Sequence, residues 1–290
     1  MRTGKWIEKN TARLDGKTVA VSGSTGGIGK KLCEHLAALG ASLILINRSE
    51  EKSRIQSEKL KECFPEIRVT YITADMEDIF SVKSATDALL QINVDILILN
   101  AGAYAITRKK CSTGYDNVFM INFLSPYYIA KRLFDSIRER GGRIIFVSSI
   151  AHNYSKTDLS DIDFSTRKRA SLVYGNAKRF LTYSISELYG DSGVISITHP
   201  GITFTNITAH YPKLIFAIIK YPMKLIFMKP HRAALSVLSG IFTPTLRSEW
   251  IGPRFFNIWG LPKKKSLTTA KDDEVRQICD IANRLYEEIK

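Results

Sequence analysis

The chain has 290 residues, 44% of them hydrophobic and 24% charged, the proportions of a folded globular protein and not of a disordered one. Lys and Arg number 42 against 28 Asp and Glu, a formal net charge of +14. Ten of those cations and a single acidic residue, Glu249, fall between Lys213 and Lys265, so the excess is local. It points to an anionic surface or ligand and away from a whole-protein nucleic-acid binder, with a solvated basic face the equally weighted alternative.

Met1 to Lys17 mixes charged and polar residues and lacks the apolar stretch of a signal peptide, so a cytoplasmic chain is expected. Short runs rich in Val and Ile then alternate with segments of helical period. Thr18–Ser22 reads as a buried strand and Gly27–Leu39 as a helix ending at Gly40. Leu43–Asn47 is a second strand, Glu50–Cys63 a charged helix, and Arg68–Ile72 a third strand. A helix near Ile79–Gln91 leads to a strand at Ile96–Asn100, and a long helix, Tyr115–Arg140, closes at Gly141-Gly142. Ile144–Ser148, the helix Val173–Tyr189 and the strand Val194–His199 complete the series.

Strands apolar on both faces and spaced by helices predict an α/β fold, a single Rossmann-type doubly wound parallel sheet with helices on both faces. Ligands bind such a sheet at the carboxyl ends of its strands. With no linker, repeat or low-complexity tract, residues 1–290 read as one domain. Its cofactor-binding part spans about 14–150, its catalytic and substrate-binding part about 151–265, and a C-terminal amphipathic helix covers 272–290.

The last third changes character. Lys213–Lys229 is strongly apolar, with Lys213, Lys220 and Lys224 spaced to share one helical face and Pro222 set to break the helix. It is too short and too charged to span a bilayer, but suits peripheral contact with a membrane surface. Packing against the body, against another subunit or over a substrate explains it equally well. The four cysteines, Cys33, Cys63, Cys111 and Cys279, have neither metal-ligand nor redox-motif spacing, and His35 and His210 belong to no His/Asp/Glu/Cys cluster. Reduced thiols and no metal are expected.

The first strand runs directly into Ser22-Gly23-Ser24-Thr25-Gly26-Gly27-Ile28-Gly29, and a helix follows. Gly23, Gly27 and Gly29 permit a tight turn and a close approach of backbone to a pyrophosphate. Free N–H groups and the helix dipole favour an anion there. At the end of the second strand, where an acidic residue would hold the ribose 2′-hydroxyl of NAD, stand Asn47, Arg48 and Ser49. Arg48 can pair with a 2′-phosphate, and a helix starting at Ser49 turns Glu50 and Glu51 away, so NADP(H) is favoured over NAD(H). Further on, Tyr174 and Lys178 are four residues apart on one helix face. A tyrosine that exchanges a proton with a carbonyl or alcohol oxygen needs a cation nearby, and Lys178 supplies one.

With these motifs in this order, the chain resembles the short-chain dehydrogenase/reductase family over about residues 14–260. The resemblance implies that Asp75, with Met76 beside it, meets the adenine, and that Asn100-Ala101-Gly102 supports the central strand and the cofactor ribose. It implies that Asn122 holds a water linking Lys178 to solvent, that Lys178 also holds the nicotinamide ribose, and that Pro200, Gly201 and Thr205 contact the cofactor. Ser149 would hydrogen-bond the substrate oxygen, with the adjacent Ser148 the alternative. Ser22 and Leu99 depart from common family residues without removing a catalytic group.

Ser148-Ser149-Ile150-Ala151-His152 and the apolar, basic stretch before His231 are similar to the retinol dehydrogenase-like branch, which implies a lipophilic alcohol or carbonyl as substrate. Phe204–Met228 would be the flap over it. The family also implies a homodimer or homotetramer through the helices around Tyr115–Arg140 and Val173–Tyr189. The reading from another class is an NADP(H)-binding regulatory or sensor protein without turnover.

Overall fold

The structure is a computed structural model that describes residues 2–203 and 227–290. Thr205 and nearly all of the basic apolar segment, residues 213–226, lie outside the described residues.

Eight strands form one sheet: β1 (Thr18–Ser22), β2 (Ser42–Asn47), β3 (Val69–Thr73), β4 (Ile96–Leu99), β5 (Arg143–Val147), β6 (Ile195–Thr198), β7 (Glu249–Phe255) and β8 (Trp259–Ser266). Their order is β3-β2-β1-β4-β5-β6-β7-β8. All neighbours are parallel except β8, which returns antiparallel on β7. Chain direction reverses sides at β1 and β4, so a crevice opens beyond the carboxyl ends of those two strands.

Alternation along the strands divides the core. Val19 and Val21 of β1 join Ile96 and Ile98 of β4 and Ile145 of β5 on one face. There they pack against α1 (Thr3–Asn10), α2 (Gly27–Ala38) and α8 (Pro230–Phe242). Ala20, Leu97, Leu99, Ile144 and Phe146 point to the other face. They meet α4 (Ile79–Leu90), α6 (Ser125–Glu139), α7 (Ala170–Tyr189) and α9 (Asp272–Ile289). Each fully buried side chain of this size contributes about 1.5–3 kcal/mol of transfer free energy, which is why every strand of the inner sheet is apolar on both sides.

Local chemistry sets the helix ends. The Ser49 hydroxyl accepts from the Lys52 N–H at the head of α3 (Glu50–Cys63), with Glu50 and Glu51 in the first turn. Asp78 caps α4 in the same way.

Four expectations need correction. The sheet has two strands beyond the expected six, and the last is antiparallel, because Pro253, Pro262 and a run of lysines hide the strand pattern of β7 and β8. The helix expected at Tyr115–Arg140 starts at Asn117, where Asp116 caps it, and consists of α5 (Asn117–Phe119), a π-helical turn at Met120–Leu124, and α6. The helix expected from Val173 begins earlier, at Ala170. Thr3–Asn10, read from sequence only as polar and charged, is a helix seated on the sheet by Trp6, which is buried.

Candidate active site

A cavity of about 360 Å³ lies at the crevice. Its floor is the glycine turn after β1 and the start of α2, with Gly23, Thr25, Gly27, Ile28 and Gly29 on the wall. Gly29 can be nothing else: a Cβ there would sit 2.2 Å from the carbonyl oxygen of Gly23 and 2.8 Å from Ser24 Cα. No side chain caps α2 at Gly26 and Gly26 to Gly29 line the cavity, which leaves the first-turn N–H groups for an anion.

The opposite rim is Asn47, Arg48, Asp75 and Met76, and the inner end is Asn100, Ala101, Gly102 and Ala103. Arg48 is exposed, and no carboxylate pairs with it among the described residues. Glu50 and Glu51 do not line the cavity, because α3 starts at Glu50 and carries both away.

Neutral hydrogen bonds hold this cradle. Asn47 Oδ1 accepts from the Thr25 N–H at 3.1 Å, and its Nδ2 donates to the hydroxyls of Ser24 at 2.8 Å and Ser53 at 2.9 Å. Ser24, fully buried, also donates to Gln56 at 3.2 Å. The Ser24 side chain therefore supports the turn from behind and does not line the cavity. Asn100 Nδ2 donates to the carbonyls of Ser22 and Gly23 at 3.0 and 3.1 Å, while the Ser22 hydroxyl accepts from the Ala101 N–H at 3.0 Å. These bonds tie the ends of β1 and β4 together. An anion-favouring crevice lined by the glycine turn, with a cation at one rim, fits a nicotinamide dinucleotide.

The wall that carries the candidate catalytic residues is α7 against the turn that follows β5. Gly175 makes their contact possible: a Cβ there would lie 2.5 Å from the Ala151 carbonyl oxygen. Tyr174 is thereby brought beside Ser149, close enough for its hydroxyl to bear on the phenol, while the Tyr104 ring stands edge-on at 5.4 Å. Burial pushes the Tyr174 hydroxyl up to about 12, and the Ser149 hydroxyl draws it back down. Ser148, by contrast, points into the core, 2.5 Å from the Thr182 hydroxyl.

Lys178 is 2% exposed and donates to the Val147 carbonyl at 2.8 Å, with Nζ 5.8 Å from the centre of the Tyr174 ring. Burial draws its pKa down to about 7. The sequence predicted that Lys178 eases ionisation of Tyr174. In the structure the phenol is governed first by burial, because the amine is turned onto the strand carbonyl and is itself driven towards neutrality. Asn122, in the π turn, clamps the chain after β4: Nδ2 donates to the Ala103 carbonyl at 2.8 Å and Oδ1 accepts from the Ala103 N–H at 3.2 Å. A Cβ on Gly102 would lie 3.0 Å from Asn122 Oδ1 and 3.7 Å from Lys178 Nζ, which places these residues around one point.

Ser149, Tyr174, Lys178 and Asn122 thus converge, as do the glycine turn, Asn47, Arg48, Asp75, Met76 and Asn100-Ala101-Gly102. Pro200 and Gly201 are buried in the turn after β6 and do not line the cavity.

Sequence reasoning missed Tyr104, Gly175 and an ionic clamp behind α7. Arg179, 1% exposed, donates to both carboxylate oxygens of Glu274 on α9 at 2.7 Å each, and to the carbonyls of His152 at 2.9 Å and Thr269 at 2.7 Å. Glu274 also accepts from the Thr157 N–H and hydroxyl, and its carboxyl is held below the usual range despite burial, by Arg179 and Thr157. The one signal in the sequence was a second cation beside Lys178 on an otherwise uncharged stretch of helix. His152 and His199 flank Trp250, and burial draws them down to about 4 and about 3.

A family profile described as short chain dehydrogenase matches residues 17–211. Polyprenol dehydrogenase of Homo sapiens is 24% identical, covering 90% of this chain and 82% of that one. Retinol dehydrogenase 13 of Homo sapiens is 25% identical over 96% of this chain and 78% of its own. Among solved structures, an uncharacterized protein from Mycobacterium paratuberculosis superposes with a TM-score of 0.72 at 20% identity, covering 96% of this chain and 94% of that one.

Proposed function

The chain belongs to the short chain dehydrogenase family as an NAD(P)-dependent oxidoreductase acting on CH–OH donors, and from that premise we propose that it uses NADP(H) to interconvert a lipophilic alcohol and its ketone or aldehyde within one Rossmann domain. The observation that carries the reading is the convergence of Ser149, Tyr174, Lys178 and Asn122 beside the inner end of the cavity. Bound in the cavity, the dinucleotide would supply or accept the hydride. Gly23 through Gly29 would hold its pyrophosphate, Arg48 its 2′-phosphate, and Asp75 with Met76 its adenine.

The Ser149 hydroxyl, at the site's surface, donates to the substrate oxygen. Tyr174 gives that oxygen its proton in reduction and removes it in oxidation. A phenol held near 12 is protonated at neutral pH, the form that gives a proton to a carbonyl oxygen in reduction. Lys178 restores the proton from the side of Asn122, where the π turn opens the helix ladder. The apolar composition of residues 204–228 and the names of the two human relatives support a lipophilic substrate.

The test is NADPH oxidation, with NADH in parallel, against retinal, steroid ketones, long-chain aldehydes and small sugars. Turnover of an apolar carbonyl with NADPH is expected. Tyr174→Phe is expected to lower turnover by about a hundredfold or more, and a rate within a few-fold of the parent refutes its assignment. Arg48→Ala is expected to weaken NADPH about tenfold while sparing NADH. Tight NADPH binding without oxidation of any carbonyl in the panel would favour a sensor instead.

A further inference from the structure

The turn that joins β7 to β8 carries a feature that the chemistry above does not use. Three aromatic side chains crowd it and face outward: Phe255 is 43% exposed, Phe256 80% and Trp259 48%. The rings of Phe255 and Trp259 are 4.7 Å apart, so they form one patch, and the more exposed Phe256 lies between them in sequence. The Ile258 N–H donates to the Phe255 carbonyl at 3.0 Å, and the two residues enclosed have φ of 50° at Phe256 and 58° at Asn257. Asn tolerates that left-handed conformation, but Phe does so only at a cost of about 1–2 kcal/mol. Gly is the residue that such a turn favours. Exposed as it is, the Phe256 ring gains little packing within the chain to offset the strain. A strained backbone position and an exposed aromatic at the same residue point to a partner outside the chain.

Charge says which partner. A groove of about 540 Å³ runs beside the patch, lined by Trp6, Lys9, Arg254, Phe255, Pro262 and Lys263 among others, with no acidic residue in its wall. Among the described residues none of these three cations has an ion pair, whereas neighbouring Lys264 is engaged by Glu249. Residues 204–226 contain no Asp or Glu, so they bring no carboxylate to the groove either. A second copy of the same tip would present the same cations and be repelled. Aromatic rings at a convex tip with lysine and arginine behind them match the interface of an anionic bilayer, where the rings sit among the headgroups and the cations pair with phosphates.

We propose that the β7–β8 hairpin is a membrane-docking element, with Phe255, Phe256 and Trp259 entering the interfacial layer and Lys9, Arg254 and Lys263 holding anionic headgroups. No described helix is long and apolar enough to cross a membrane, so the contact is peripheral. Because β7 runs parallel to β6, the tip projects from the carboxyl edge of the sheet, the edge that carries the site. A Cβ on Gly201, in the turn after β6, would lie 2.6 Å from the Ile258 carbonyl oxygen, so the tip and that turn are in direct contact.

Flotation of the full chain with phosphatidylcholine vesicles, with and without phosphatidylserine, tests the docking independently of any substrate. Binding is expected to the anionic vesicles at low salt and to weaken in high salt. Phe256→Gly relieves the backbone while removing the most exposed ring of the turn. It is expected to lower partitioning at least about fivefold with a melting temperature equal to or above that of the parent. Arg254→Gln with Lys263→Gln is expected to abolish the preference for phosphatidylserine. The proposal is overturned if the parent does not float at low salt. It is also overturned if both variants bind undiminished, which moves the contact to a segment such as Lys213–Lys229. Dissociation of an oligomer by Phe256→Gly would show the patch to be an interface between copies, and would overturn it too.

Discussion

In the cofactor cradle, Ser24, Asn47, Ser53 and Gln56 hold one another by neutral hydrogen bonds of 2.8 to 3.2 Å. On α7, two adjacent residues are buried basic groups: Lys178, bonded to the Val147 carbonyl, and Arg179, bracketed by a carboxylate and two carbonyls. A neutral network shares its load, since each hydroxyl can turn and find another partner. A buried charge has no such latitude, because removing one partner leaves the full desolvation penalty standing. Within α7 the two basic groups differ in the same sense. Arg179 is compensated by a carboxylate, while Lys178, beside Tyr174, is under-compensated.

The largest effect should come from Lys178. Lys178→Met is expected to reduce turnover by about a hundredfold or more, yet to raise the melting temperature at neutral pH by a few degrees, because it removes an amine whose charged form is disfavoured by burial. The folded pKa of Lys178 lies below its unfolded value of 10.5, at about 7. Between those values the unfolded chain holds a proton that the native chain has released, so this group makes stability rise with pH. The variant should lose that slope. Melting curves from pH 7 to pH 10 read both effects, and a destabilised variant would show that the amine supports the fold.

Glu274→Gln comes next. It leaves Arg179 buried without a carboxylate, a loss of about 2–3 kcal/mol after allowing for the partial exposure of Glu274. Because Arg179 adjoins Lys178 and grips the His152 carbonyl, the variant should also lower kcat several-fold with KM nearly unchanged, and shift the pH profile of kcat. Glu274→Asp should recover part of both. A loss of stability with an unaltered pH profile would confine the clamp to a structural role.

The smallest effect is expected at Ser24. Ser24→Ala removes one member of the neutral network, at about 1 kcal/mol, and should leave the dissociation constant for NADPH within a few-fold of the parent. A tenfold loss would show that the cradle lacks the redundancy its hydrogen bonds suggest.

The same contrast explains what the sequence could disclose. The cradle is made by neighbours in the chain: a strand, a glycine turn and a helix in one run, with Asn47 and Arg48 closing the next strand. Local spacing reports such an arrangement well. Tyr174 and Lys178 were legible for the same reason, being one helical turn apart. Arg179 and Glu274 are separated by 95 residues, and no periodicity links them. Choosing between Ser148 and Ser149 likewise required seeing Thr182 draw one hydroxyl into the core. The β7–β8 hairpin stayed hidden because its prolines and lysines read as loop, while its antiparallel pairing is a tertiary matter. The π turn at Asn122 was invisible because π and α turns share one hydrophobic pattern over so short a stretch.

The clamp between α7 and α9 also carries an order of events during synthesis. Arg179 leaves the ribosome 95 residues ahead of Glu274, a delay of about 5–20 s at ordinary elongation rates. Over that interval the glycine turn, Asn47 and the first strands have all emerged and can assemble, whereas the guanidinium has no carboxylate to meet. The nascent chain can therefore build the crevice at the glycine turn before α9 is available to close the clamp on Arg179.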